Sequence, residues 1–220
     1  IEALLALWST LLSDLREALG IGLGDVTPWA WKLEHLFAAQ RVGETFLAEA
    51  ASEAGPVASV LIDTWRRAVA NAAADLGNDA PKRTIDAAIA GNLRQRGMAQ
   101  VRTTFARTYR DDIVGILASG ALDGLPAAAI ARDLARRFGN ATYDWRRLVS
   151  SEMVAAYGPA KLDEFAANGV ERYDWATAGD GSVCPICAEH RDAGPYAIGA
   201  GPVPMTDSHP LCRCAPVPAL

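Results

Sequence analysis

All four cysteines of this 220-residue chain lie between Cys184 and Cys214, and two of its three histidines, His190 and His209, lie with them. Beyond Ala178 the same stretch is rich in glycine and proline. A segment of that composition is too irregular to build its own hydrophobic core, so it needs a staple. Disulfide frameworks belong to small secreted domains, whereas this chain is mid-sized and shows no secretion signal. A metal is therefore the expected staple.

The donors come in two groups. Cys184, Pro185, Ile186 and Cys187 form a C-x-x-C pair, whose tight turn lets two thiolates grip one ion from adjacent corners of a tetrahedron. The second group is His209, Cys212 and Cys214: His209 and Cys212 repeat the two-residue spacing, and Cys212 and Cys214 face one side of an extended segment. A lone C-x-x-C is also a redox pattern, but that motif follows a strand of a βαβ unit, and a helical pattern precedes this one. Five donors compete for four positions. Cys184 and Cys187 are common to every arrangement, and two more come from His209, Cys212 and Cys214. His190, between Glu189 and Arg191, reads as part of a solvated loop. Four protein ligands close the coordination sphere, so the expected cofactor is a structural zinc ion.

Alanine, leucine and arginine dominate the rest of the chain, and apolar residues recur at helical spacing. Trp8, Leu11, Leu12, Leu15 and Leu19 mark a first helix stopped by Gly20. Thr27 and Pro28 read as the start of a second, running to about Ala54 with Gly43 as a candidate break. Val57 to Leu76 forms a third. Another pattern, bent near Gly91, continues to Gly120, and a short helix from about Pro126 is expected to end at Gly139 and Asn140. A helix from Tyr143 to Asn168 carries a kink at Gly158 and Pro159. Val170 to Thr177 then alternates as a half-buried strand should. Trp8, Trp29, Trp31 and Trp65 are expected core residues. The fold class is mainly α: a helical bundle followed by a small α+β, zinc-stapled C-terminal module.

The formal charge of −5 argues against a dedicated nucleic-acid binder. Arg94, Arg96, Arg102, Arg107 and Arg110, and again Arg132, Arg136, Arg137, Arg146 and Arg147, are interleaved with Asp111, Asp112, Asp133 and Asp144, as on solvated helix faces. No stretch holds the ~18 apolar residues of a membrane span, so no membrane partner is expected.

Asp180, the pair Cys184 and Cys187, and the closing His209, Pro210, Leu211, Cys212, Arg213 and Cys214 together resemble the signature of phage Mu F-type minor head (head-morphogenesis) proteins. That pattern has an aspartate shortly before a C-x-x-C, a loop with glycine and proline, and a closing H-P-x-C-R-C. Upstream, Arg147 to Glu152 resembles the family's Arg-Thr-Glu-like helix, with Ser151 where threonine is usual. Met205, Thr206 and Asp207 stand in place of the usual proline pair. The resemblance covers about 121–220, with the zinc module at about 178–220, and leaves 1–120 as a helical region suited to docking on a portal or capsid. It implies a non-enzymatic virion component in the capsid interior or at the portal vertex, present in the host cytoplasm during assembly. Its partners would be the portal protein, capsid subunits or both, and contact with packaged DNA is compatible with that role. Two rival readings remain. One is an enzyme or toxin-like nuclease or transferase domain using acids and histidines such as Asp180, His190 and Asp192, although no nucleophile and base pair is defined. The other is a nucleic-acid-binding zinc module.

Overall fold

The computed structural model describes residues 2–21, 33–50 and 56–219. The expected helix start at Thr27 and Pro28, and the core assignments of Trp29 and Trp31, lie outside the described residues. The chain is mainly helical with a small sheet near its C-terminus. In order come α1 (Glu2–Leu19), α2 (Leu33–Ala50), α3 (Pro56–Asp75), α4 (Ala87–Phe105), a π-helical stretch (Ala106–Ile113), α5 (Val114–Leu122), α6 (Ala127–Ala167), β1 (Arg172–Ala176), α7 (Pro185–Ala193), β2 (Tyr196–Ala197) and β3 (Ala215–Pro218). Among the described residues no helix is long and apolar enough to cross a membrane. The chain divides into two compact units, neither continuous in sequence: 1–58 with 96–148, and 59–95 with 149–220.

The first unit is organised by aromatic rings. Trp8 on α1 stacks on Phe138 at 4.6 Å between centroids and meets Phe46 edge-on at 5.5 Å, while its indole N–H donates to the Phe138 carbonyl. Phe46, Phe105 and Tyr109 continue the stack, and the Tyr109 hydroxyl donates to the Ala39 carbonyl at 2.6 Å. Two expectations fail here, each through aromatic packing. Gly43 does not break α2, because its missing side chain is what admits the rings: a Cβ there would lie 2.9 Å from Phe105 Cζ and 3.0 Å from a Tyr109 ring carbon. Likewise Gly139 and Asn140 do not end a helix. Phe138 and Trp145, seven residues apart on one helical face, are both buried, and keeping them in phase outweighs the roughly 1 kcal/mol that a helical glycine costs. The two expected helices are therefore one, 41 residues long.

Gly91 lies inside α4, and the departure from regular α geometry comes later, where Val114 N–H reaches back five residues to the Tyr109 carbonyl. That wider turn was not legible from apolar spacing.

The second unit positions the cysteines. Two residues beyond the end of α6 comes Gly169, whose φ of +78° is the left-handed stop expected of it. Just before it, the fully buried Glu164 carboxylate accepts the backbone N–H groups of Lys82 and Arg83 at 2.8 and 2.7 Å, fixing the α3–α4 connection. Strand β1 is the centre of a three-stranded antiparallel sheet in the order β2-β1-β3, Tyr173 facing Tyr196 on one side and Pro218 on the other. Its inward residues, Tyr173 and Trp175, are buried. Tyr173 packs with Ala72, Leu162 and Phe165, and Trp175 packs with Cys187, Cys212 and Cys214.

Candidate metal centre

The tail is less irregular than its composition suggests. Cys184 is extended, with φ −73° and ψ 159°, Pro185 follows at the first helical position, and the Cys187 N–H donates to Cys184 Sγ at 3.3 Å. The cysteine thus caps α7 as a serine would, and proline's fixed φ starts the helix where its missing N–H costs nothing. The C-x-x-C turn is the first turn of a helix, which presents Cys184 and Cys187 toward the same point.

The second group arrives on the segment that runs into β3. Leu211 takes a left-handed φ of +62°, and this reversal sets His209 and Cys212 against α7. The reversal is held from below: the Leu211 N–H donates to the hydroxyl of buried Ser151 on α6 at 3.1 Å. Cys214 leads directly into β3, beside Trp175.

Among the described residues two overlapping triads result, Cys184, Cys187 and His209, and Cys187, Cys212 and Cys214, the donor atoms within each lying within 4.8 Å of one another. Cys187 belongs to both. Its sulfur is 3.6 Å from His209 Nε2 and 3.8 Å from Cys212 Sγ. A tetrahedral ion with sulfur at ~2.3 Å and nitrogen at ~2.0 Å has edges of about 3.5–3.8 Å, so both separations fit. His209 Nδ1 lies 2.8 Å from the Pro210 carbonyl. A carbonyl only accepts, so Nδ1 carries the proton and Nε2 presents its lone pair toward Cys187, the tautomer a metal ligand requires. The cysteines are free thiols rather than disulfides. The cluster can hold a metal ion.

Electrostatics divides the thiols. The Cys187 N–H bond holds the Cys184 thiol below its ordinary value, whereas burial pushes Cys187 and Cys214 up. Burial also raises Cys212, but the Ser208 hydroxyl and the Cys214 N–H outweigh it and the net direction is down. Three apposed sulfurs, Cys187, Cys212 and Cys214, are all buried. Thiolates cannot be accommodated there without a cation to neutralise them.

His190 belongs to neither triad, and it lies on a helix rather than in a loop. It sits on α7 with its ring 4.7 Å from that of Trp175 and its Nε2 on the Asp207 carbonyl at 2.8 Å. Asp207 also accepts the Val203 N–H, so the segment that departs from the proline pair forms its own turn. The spacing of the donors gave no sign of one pairing: Arg213 donates two parallel hydrogen bonds to the Asp180 carboxylate, at 2.7 and 2.9 Å. This fork clasps the loop before the C-x-x-C to the residue between Cys212 and Cys214. It holds the Asp180 carboxyl below its usual range.

Comparison with protein-family models, with curated proteins and with solved structures finds no match to this chain.

Proposed function

We propose that the chain is a structural minor head protein of a tailed phage or prophage, its C-terminal module stapled by one zinc ion with no open coordination site. The observation that carries this reading is the Asp180–Arg213 fork together with the convergent donors. The signature that resembles the Mu F-type family contains two residues that are not ligands, an aspartate before the C-x-x-C and an arginine inside the H-P-x-C-R-C. In this chain those two residues bind each other across the donor cluster. A pattern of ligands and non-ligands is thereby accounted for as one physical object: the thiols and imidazole hold the ion, and the ion pair closes the loops over it.

The donor set of soft thiolates with imidazole suits zinc, which prefers tetrahedral sulfur and nitrogen coordination. With four protein ligands the ion supplies folding energy rather than an activated water, apparent values for structural zinc being roughly 10–16 kcal/mol. The assembly role, at the portal or inner capsid wall, rests on the resemblance.

Co-expression with portal and capsid subunits of a tailed phage, followed by particle isolation, tests the role. The chain is expected in proheads or portal-containing intermediates at low copy number. Its absence from every intermediate would refute the assembly reading while leaving the metal assignment intact. Zinc content of the purified chain, expected at one equivalent, tests the metal separately.

A further inference from the structure

The structure separates the five candidate donors, and the inference drawn from this rests on the zinc reading above. Between the two ligand-bearing segments lies a small cavity of about 60 Å³, lined by Cys184, Cys187, His209 and Cys214. Leu211 and Arg213 contribute to its wall, but Cys212 does not. Cys187 lines the cavity and also lies 3.8 Å from the enclosed sulfur of Cys212, a residue 1% exposed. The cavity wall thus carries three cysteines and the imidazole of His209.

We propose that the ion is coordinated by Cys184, Cys187, His209 and Cys214, and that Cys212 is a non-coordinating thiol that positions Cys214. Two further observations point the same way. Cys212 Sγ receives the Cys214 N–H at 3.5 Å, so it orients the backbone of the coordinating residue. Among the described residues the buried Trp175 indole N–H makes no hydrogen bond of ordinary length, and it packs in the same cluster as Cys214. A buried donor without an acceptor is costly, and a metal-bound thiolate is a far stronger acceptor than a neutral thiol. Coordination would turn the Cys214 sulfur beside this indole into the stronger acceptor.

The rival set replaces Cys214 by Cys212. It would draw the ion out of the cavity toward the enclosed sulfurs, leaving Cys214 neutral beside Trp175. The two arrangements have the same three-sulfur, one-nitrogen composition, so composition alone does not distinguish them.

The experiment uses the full chain with zinc, and with cobalt(II) as a spectroscopic probe. Wild type is expected to bind one equivalent and to show a three-thiolate, one-imidazole charge-transfer spectrum. Cys212→Ala should keep the equivalent and the spectrum, with affinity falling by no more than the roughly 10–100-fold typical of residues that orient a ligand. Cys214→Ala should lose the metal or fall to a two-thiolate spectrum. As a measurement that needs no variant, the zinc-loaded wild type is alkylated in mild denaturant and mapped by mass spectrometry. Preferential labelling of Cys212 supports the proposal, and preferential labelling of Cys214 overturns it. A four-thiolate spectrum, or a two-thiolate spectrum in Cys212→Ala, overturns it as well. A wild type that binds no metal sinks the zinc reading itself, so the two failures are distinguishable.

Discussion

Ser151→Ala removes the hydroxyl that holds the reversal before Cys212. The Ser151 side chain is buried on α6, and its oxygen accepts the Leu211 N–H at 3.1 Å. Leu211 holds φ at +62°, a left-handed conformation that costs a non-glycine residue about 1–3 kcal/mol unless its surroundings impose it. A neutral hydrogen bond contributes about 0.5–1.5 kcal/mol net. Leu211 is 39% exposed, so water recovers part of the orphaned N–H after the substitution. The loss should thus be about 1–2 kcal/mol, a factor of roughly 5–30 in the population of the metal-ready loop. Because only that conformation presents His209 and the following cysteines together, the zinc dissociation constant should weaken by the same factor, as read by competition with a chromophoric chelator at neutral pH. Ser151→Thr keeps the hydroxyl and should bind like wild type. Leu211→Gly in the alanine background should recover part of the loss by relieving the left-handed strain. Equal affinity for Ser151→Ala and wild type, or a threonine variant as weak as the alanine one, would refute the reasoning.

Chelation of the zinc-loaded chain should remove hydrogen-exchange protection from α7 and from β1 to β3 while most helical ellipticity persists, as the proposed staple of the tail requires; unchanged protection would contradict the staple. Gly43→Ala should lower the urea midpoint by an amount equivalent to about 1–3 kcal/mol, because its Cβ lands 2.9 Å from Phe105, and should leave zinc content at one equivalent. Burial, with Tyr196 and Asp207 adding to it, pushes the Tyr173 phenol up to about 12, against an unfolded value of about 10. The neutral phenol's contribution is therefore complete below pH 10 and lost as pH rises from about 10 to 12, and Tyr173→Phe should flatten that decline in an alkaline unfolding series followed by absorbance at 295 nm.

Much of the architecture is written in local chemistry. Apolar spacing alone locates α1 and α3, because a helix buries one stripe and the stripe repeats every three or four residues. The glycine stops at Gly20, Gly77 and Gly169 follow from their backbone freedom, and all three have positive φ. Strand β1 is evident in the alternation that buries Tyr173 and Trp175. The candidate donors are visible because cysteine and histidine clustered in a loop-rich tail have few other uses.

What sequence left open depends on residues distant along the chain. Gly43 and Gly139 carry the same local helix-breaking tendency as the glycines that do end helices; only the rings of Phe105 and Tyr109 in one case, and the shared face of Phe138 and Trp145 in the other, decide that these two do not. The Asp180–Arg213 fork spans 33 residues and the Ser151–Leu211 bond spans 60, separations across which no periodicity carries information. The donor set is therefore a property of the sequence. Which of those donors face a common cavity is a property of the tertiary fold, because a coordination sphere is a geometry in space, and spacing along a chain constrains it only within a single turn.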